Sequence, residues 1–148
     1  MRDARMMGSW VLALFLMAMF LWIADQSLFP GEGRNIVFPM LAEKSEYYLF
    51  EPTGRLAVSL LEVLAALLIL IPWTRRLGAI LGALIAAGAL AAQFVWIGMA
   101  LPTPDGKTDG GGLFYLTLAL LVASLVLAVV HPGRSGGNAS GPQSYYGR

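Results

Sequence analysis

The chain predicts an all-α polytopic membrane protein, an antiparallel bundle of four transmembrane helices. Three observations lead there. Hydrophobic residues make up 57% of the 148 and charged residues only 13%, against roughly 25% charged residues in soluble domains. Four apolar runs, Gly8 to Ala24, Leu56 to Ile71, Leu77 to Ala92 carrying on through Phe94 to Met99, and Leu113 to Val130, each reach or approach the roughly 20 residues that cross a bilayer core. The connection Trp73-Thr-Arg-Arg76 is so short that the spans on either side of it must run antiparallel. The expected helices are 7–25, 52–72, 76–99 and 112–131, with an outer loop at 26–51. Residues 1–131 form one domain and 132–148 a flexible tail.

The first run follows Arg2 and Arg5, as the core of a signal peptide would. About 17 apolar residues exceed that core's usual length, and no small-x-small cleavage site follows, so the run reads as a retained helix. The loop from Asp25 to Thr53 mixes Asp25, Glu32, Glu43, Glu46 and Glu51 with Phe29, Phe38, Tyr47, Tyr48 and Phe50. Aromatic rings settle at headgroup level, so this mixture suggests a segment on the membrane surface, with room for a short interfacial helix around Phe38 to Tyr48.

Pro52 suits the first position of the second helix, where its missing N–H would be unpaired in any case. From there to Pro72 the helix would be about 31 Å long. In the third helix Gly78, Gly82, Ala86, Ala89 and Gln93 share a face about 80° wide, and Gly78-x-x-x-Gly82 permits close helix approach. Gly78, Gly82 and Ala86 are therefore the expected packing surface. Before the fourth helix, Asp105-Gly-Lys-Thr-Asp-Gly110 carries Lys107 and Leu116 where a calcium loop needs ligands, so Asp109 reads as a helix cap and the glycines as a turn. His131, the only histidine, closes that helix beside Pro132, where it interacts favourably with the last carbonyls. The tail PGRSGGNASGPQSYYGR is too poor in apolar residues to order itself.

Lys and Arg resist translocation, which orients the bundle. With the N-terminus inside, Arg2, Arg5, Arg75, Arg76, Arg134 and Arg148 are internal and Arg34, Lys44, Arg55 and Lys107 external, six against four. Both termini are expected in the cytoplasm.

The second helix carries the unusual residues. Arg55, Ser59, Glu62 and Ala66 fall in a stripe about 60° wide, and Glu62 lies about 15 Å from either end, near the midplane. An ionisable side chain facing lipid at that depth costs at least about 2.5 to 3.5 kcal/mol, so Glu62 must face protein. It is either an acid that joins helices by hydrogen bonding or a candidate proton acceptor that meets a quinol or polar headgroup. The first reading is favoured, because a proton path normally needs a chain of ionisable groups and only one lies deep. Arg55, about 10 Å away along the axis, is expected near the interface and linked to Glu62 through Ser59 or water. Gln93, nearer the outer end, is within a side chain's reach of that level, and the fourth helix adds Thr117 and Ser124 on one face, with Ser124 at about the depth of Glu62. The expected polar centre is Arg55, Ser59, Glu62, Gln93 and Ser124.

Several classes are excluded. A chain without cysteine has no disulfides, thiol chemistry or Cys-ligated metal, and a lone histidine makes a poor metal site. A net charge of +1 without a basic block gives no case for nucleic acid. The internal repeats and broken midplane helices of transporters are missing from the sequence.

Phe50-Glu51-Pro52-x-Gly54-Arg55, Leu61-Glu62-Val63-Leu64-Ala65-Ala66-Leu67-Leu68, Ile71-Pro72-x-Thr74-Arg75-x-Leu77-Gly78-Ala79, and Asp109-Gly110-Gly111 leading to Leu113-Phe114 and His131 together resemble the DoxX-like family of small four-helix membrane proteins. The resemblance covers about residues 50–131 and the position of the first helix. It departs from the family at Gln93-Phe94, where relatives often carry a histidine, and at Ala24-Asp25-Gln26-Ser27. It implies a bacterial inner-membrane protein, some of whose relatives associate with redox complexes such as thiosulfate:quinone oxidoreduction or oxidative-stress systems. The leading expectation is a non-catalytic accessory or structural subunit of a membrane redox system, with no cofactor of its own. Its partners would be the bilayer and either a redox complex or further copies of itself. The alternative is a quinone-reactive subunit in which Glu62 accepts a proton and Arg55 or Gln93 orients the headgroup; a small-solute carrier is the weaker one. The space beside Glu62 discriminates between the first two, by being either packed shut or open enough for a quinone ring.

Overall fold

The computed structural model describes residues 2–29, 36–103 and 105–130, with side chains in the first helix described from Met6 onward. His131 and the tail 132–148 lie outside the described residues. The elements are α1 (Arg2–Leu28), α2 (Val37–Ser45), a 3-10 turn (Tyr48–Phe50), α3 (Thr53–Leu70), α4 (Arg75–Ala92), a π-helical turn (Gln93–Ile97) and α5 (Gly112–Val130). Met6–Leu28, Thr53–Leu70, Arg75–Ile97 and Gly112–Val130 are long and apolar enough to cross a membrane. The all-α, four-span architecture read from the sequence is the one observed, and the chain is a multi-pass membrane protein.

Each long helix buries one stripe and exposes apolar side chains on the other. Ala13, Leu16 and Phe20 of α1 recur at helical spacing and meet Ala66 and Ile69 of α3, Ala79 and Ala86 of α4, and Leu120 and Leu127 of α5 in a common core. Val11, Phe15, Leu60, Leu67, Leu84, Val122 and Val129 point outward and are exposed. A helix that is apolar all round suits a hydrocarbon solvent on its outer side. The helices follow one another round the bundle as α1, α3, α4 and α5, and α5 closes back on α1.

Several boundaries differ from the sequence reading: α1 begins at Arg2, ahead of the expected residue 7, and α3 ends at Leu70, short of 72. α1 runs on past residue 25 because Ser27 is buried and its carbonyl accepts a hydrogen bond from Arg55 Nη1, which holds the last turn. Pro52 caps α3 instead of beginning it, its carbonyl accepting from Leu56 N at 3.0 Å. The third span leaves α-helical geometry at Gln93, where a π turn replaces the helix expected to continue to Met99. The segment expected at the membrane surface forms a shorter helix than expected, α2, which buries Leu41 and Ala42 and ends at Glu46, whose φ is 59°. Lys44 Nζ donates to Ile97 O at 3.4 Å, tying α2 to the π turn.

The connection between α3 and α4 is built on side chains that satisfy carbonyls. The last carbonyls of a helix have no partner within it. Thr74 Oγ1 donates to Leu68 O at 2.9 Å and Arg75 Nε to Ile69 O at 3.0 Å. The Arg75 guanidinium lies 4.0 Å above the Trp10 ring. Of the two arginines read as flanking charges only Arg76 is exposed, whereas Arg75 is 1% exposed.

α4 presents its small residues inward. A Cβ on Gly78 would stand 2.6 Å from Ile69 N and 2.9 Å from Ala65 O, so α3 and α4 touch backbone to backbone there. A Cβ on Gly82 would stand 2.7 Å from the Phe20 ring. Gly78, Gly82 and Ala86 are all buried, whereas Ala89, expected on the same face, is exposed.

Candidate functional site: a cavity ending at a buried acid

A cavity of about 750 Å³ lies in the half of the bundle that carries α2. Phe20 and Ile23 of α1, Val37 and Leu41 of α2, Val58 and Leu61 of α3, Leu84 and Ile85 of α4 and Leu120 of α5 line it. Its volume lies within the roughly 300 to 1,000 Å³ of ordinary ligand sites, which combine mostly apolar walls with a few placed polar groups. The polar lining is Gln26, Ser27, Glu62, Gln93 and Thr117.

The space beside Glu62 is therefore open. Glu62 is 6% exposed and lines the cavity from α3. Its Oε2 is buried and has no hydrogen-bond partner among the described residues. Gln93 begins the π turn, whose i to i+5 bond from Gly98 N to Gln93 O is 2.6 Å. Its Nε2 donates to Thr117 Oγ1 at 3.3 Å, while that hydroxyl donates to Leu113 O at 2.8 Å. π turns insert an extra residue per turn and occur often at functional sites.

The expected polar centre divides into three places. Glu62 and Gln93 share the cavity. Arg55 turns away from it: it is buried, its Nε donates to Glu51 Oε1 at 2.8 Å, and Nη1 donates to the Ser27 carbonyl. Arg55 stands in the first turn of α3, near the helix end where the sequence places it, and the carboxylate and the α1 carbonyl give its guanidinium partners inside the protein. Ser59 Oγ donates to the Arg55 carbonyl at 2.8 Å, a bond within its own helix that replaces the expected link to Glu62. Ser124 is buried against α4, its Oγ 3.2 Å from where a Gly82 Cβ would be, and it does not line the cavity.

Asp109 has the capping role read from the sequence. Its Oδ2 accepts from Leu113 N at 2.9 Å, and Oδ1 accepts from Leu101 N at 2.7 Å and Gly111 N at 2.9 Å. The Leu113 bond foremost, then those from Gly111 and Leu101, hold its carboxyl below the ordinary range against the opposing effect of burial. Gly110 and Gly111, at φ 64° and 84°, make the left-handed turn beside it. No group of three or more His, Asp or Glu side chains able to hold a metal ion occurs among the described residues.

Sequence reasoning missed the burial of Arg75, the Gln93–Thr117 bond and the π turn. Only Thr117 left a signal, as a hydroxyl on the Ser124 face of its helix. Fold and site together define a four-span membrane protein with a ligand-sized cavity that ends at an unpartnered acid. No family model matches the chain, and neither a curated protein nor a solved structure does.

Proposed function

We propose that the protein is a DoxX-like accessory subunit of a membrane redox system that holds a quinone beside Glu62. The observation that carries this reading is the cavity ending at a buried carboxylate oxygen without a hydrogen-bond partner. An acid that served only to join helices would bond to a neighbouring helix, since an unpaired buried polar group costs about 1 to 3 kcal/mol. Such a cost is tolerated where a ligand supplies the missing partner. Arg55 is already engaged by Glu51, so orienting the headgroup falls to Gln93, fixed by Thr117.

In this role the quinol gives up two electrons and two protons: Glu62 accepts one proton from a quinol hydroxyl, and the partner complex takes the second proton and both electrons. The proposed setting is the bacterial inner membrane, with both termini cytoplasmic and the α2 end of the bundle outside. Glu62→Gln keeps the shape of the side chain but removes the ability to accept the proton. Quinone-linked turnover in membranes holding normal amounts of the variant should fall at least about tenfold, within the range of general-base contributions. Unchanged turnover would remove Glu62 from the reaction. Purification in mild detergent should recover the chain with a specific partner, and repeated isolation of a lone stable protein would count against the accessory role.

A further inference from the structure

α4 contains three glycines with different surroundings. The space beside Gly78 is filled by the α3 backbone and that beside Gly82 by the Phe20 ring, so close packing accounts for both. A Cβ on Gly88 would meet nothing within 4 Å. Glycine inside a helix is less stable than any ordinary residue except proline, and no packing contact requires one here. Gly88 nevertheless lines the cavity, about 15 Å along the helix axis from the tight crossing at Gly78. Leu61 and Leu84 line it as well and are 41% and 66% exposed, so the cavity wall here is also the outer surface of the bundle. α3 and α4 thus touch at one end and part toward the other, and in a membrane-spanning bundle the gap faces hydrocarbon.

We infer that the gap between α3 and α4 at Gly88 is a lateral entrance through which the cavity admits, from the bilayer, an uncharged molecule with a compact oxygen-bearing headgroup and a single long apolar tail. The headgroup ends at Glu62, Gln93 and Thr117, and the tail leaves past Gly88. An anionic headgroup is disfavoured, because Arg55 lies outside the lining, bonded to Glu51, and the ionisable side chain in the lining is an acid. This rests on the ligand-holding reading above and narrows it to a ligand shape and a route.

The test uses the full chain in nanodiscs of uncharged lipid, with three probes: a decyl-tailed benzoquinone, the same benzoquinone without its tail, and hexadecanol. Gly88→Leu places a side chain in the open gap and should leave the thermal midpoint at or above that of the unmodified protein. Gly88→Ala provides a milder obstruction should the larger residue disturb folding. The dissociation constant of the tailed benzoquinone should rise at least tenfold in Gly88→Leu and by a smaller factor in Gly88→Ala, while that of the tailless one stays within twofold. Unchanged affinity for the tailed probe overturns the entrance. If hexadecanol binds in a Gly88-dependent way and neither benzoquinone binds, the entrance stands and the quinone proposal falls. Failure of all three probes to bind overturns the entrance as well.

Discussion

Arg75 and Glu62 are both ionisable and both buried in apolar helices, and each keeps one buried polar atom, Arg75 Nη2 and Glu62 Oε2, without a partner among the described residues, but their surroundings differ. Arg75 closes the end of α3 by bonding Ile69 O and covers its charge with the Trp10 ring, so it is part of the scaffold. Arg75→Met should destabilise the protein by about 1 to 3 kcal/mol, combining a lost hydrogen bond with a cation–π contact. Arg75→Lys should recover only part of this, since a compact ammonium lacks the planar group that bonds and stacks at once. Thermal unfolding in detergent measures both. Asp109 gives a pH prediction. Its folded carboxyl is held low by N–H donors, so its contribution is complete above the ordinary Asp pKa of about 3.9 and is lost as pH falls through the lower folded value. The unmodified protein should hold its thermal midpoint from about pH 7 to 5 and lose it below about 4. Asp109→Ala should cost about 1 to 2 kcal/mol at neutral pH, as loss of a helix cap does, and should flatten the acid limb of that profile.

At the scale of elements, α4 is the helix whose geometry the sequence conveyed best and whose end it conveyed worst. The spacing of Gly78, Gly82 and Ala86 marks the buried face because a 100° step per residue is all that such an argument needs. The argument stops at Gln93, where the π turn changes the step, and the span runs on to Ile97, just short of the expected Met99. The turning of Arg55 toward Ser27 and the burial of Arg75 were illegible for another reason. Both depend on which backbone carbonyls come within reach, and that is settled by tertiary packing. Of the candidate site, helical rise alone places Glu62 deep and Gln93 nearer the outer end of the neighbouring helix, but the cavity they both line depends on how α3 and α4 pack. The close crossings yield a coupling prediction. Gly82→Ala sets a methyl 2.7 Å from the Phe20 ring and should destabilise by about 1 to 3 kcal/mol, as overpacking does. Combined with Phe20→Leu, which removes ring atoms from that spot, the loss should be smaller than the sum of the two single losses, and a double-mutant cycle measures the difference.

For the molecule as a whole, orientation decides which compartment the proposed site serves. The two ends of the bundle differ in chemistry. One carries the α3–α4 turn with exposed Arg76 and Trp73, and the other carries α2, the aromatic turn Tyr48–Phe50 and the loop held by Asp109. In the proposed orientation, which keeps arginines flanking short loops on the cytoplasmic side, the Arg76 end is inside and the cavity lies toward the outer half of the membrane. The chain has no cysteine, so a single introduced thiol reports its own side. Trp73 is 91% exposed and the Lys107 side chain 81% exposed, so substitution at either place disturbs little packing. In intact cells a membrane-impermeant maleimide should label Lys107→Cys at once and reach Trp73→Cys only after the membrane is opened. The reverse pattern would invert the bundle, and a proton accepted by Glu62 would then be released toward the cytoplasm.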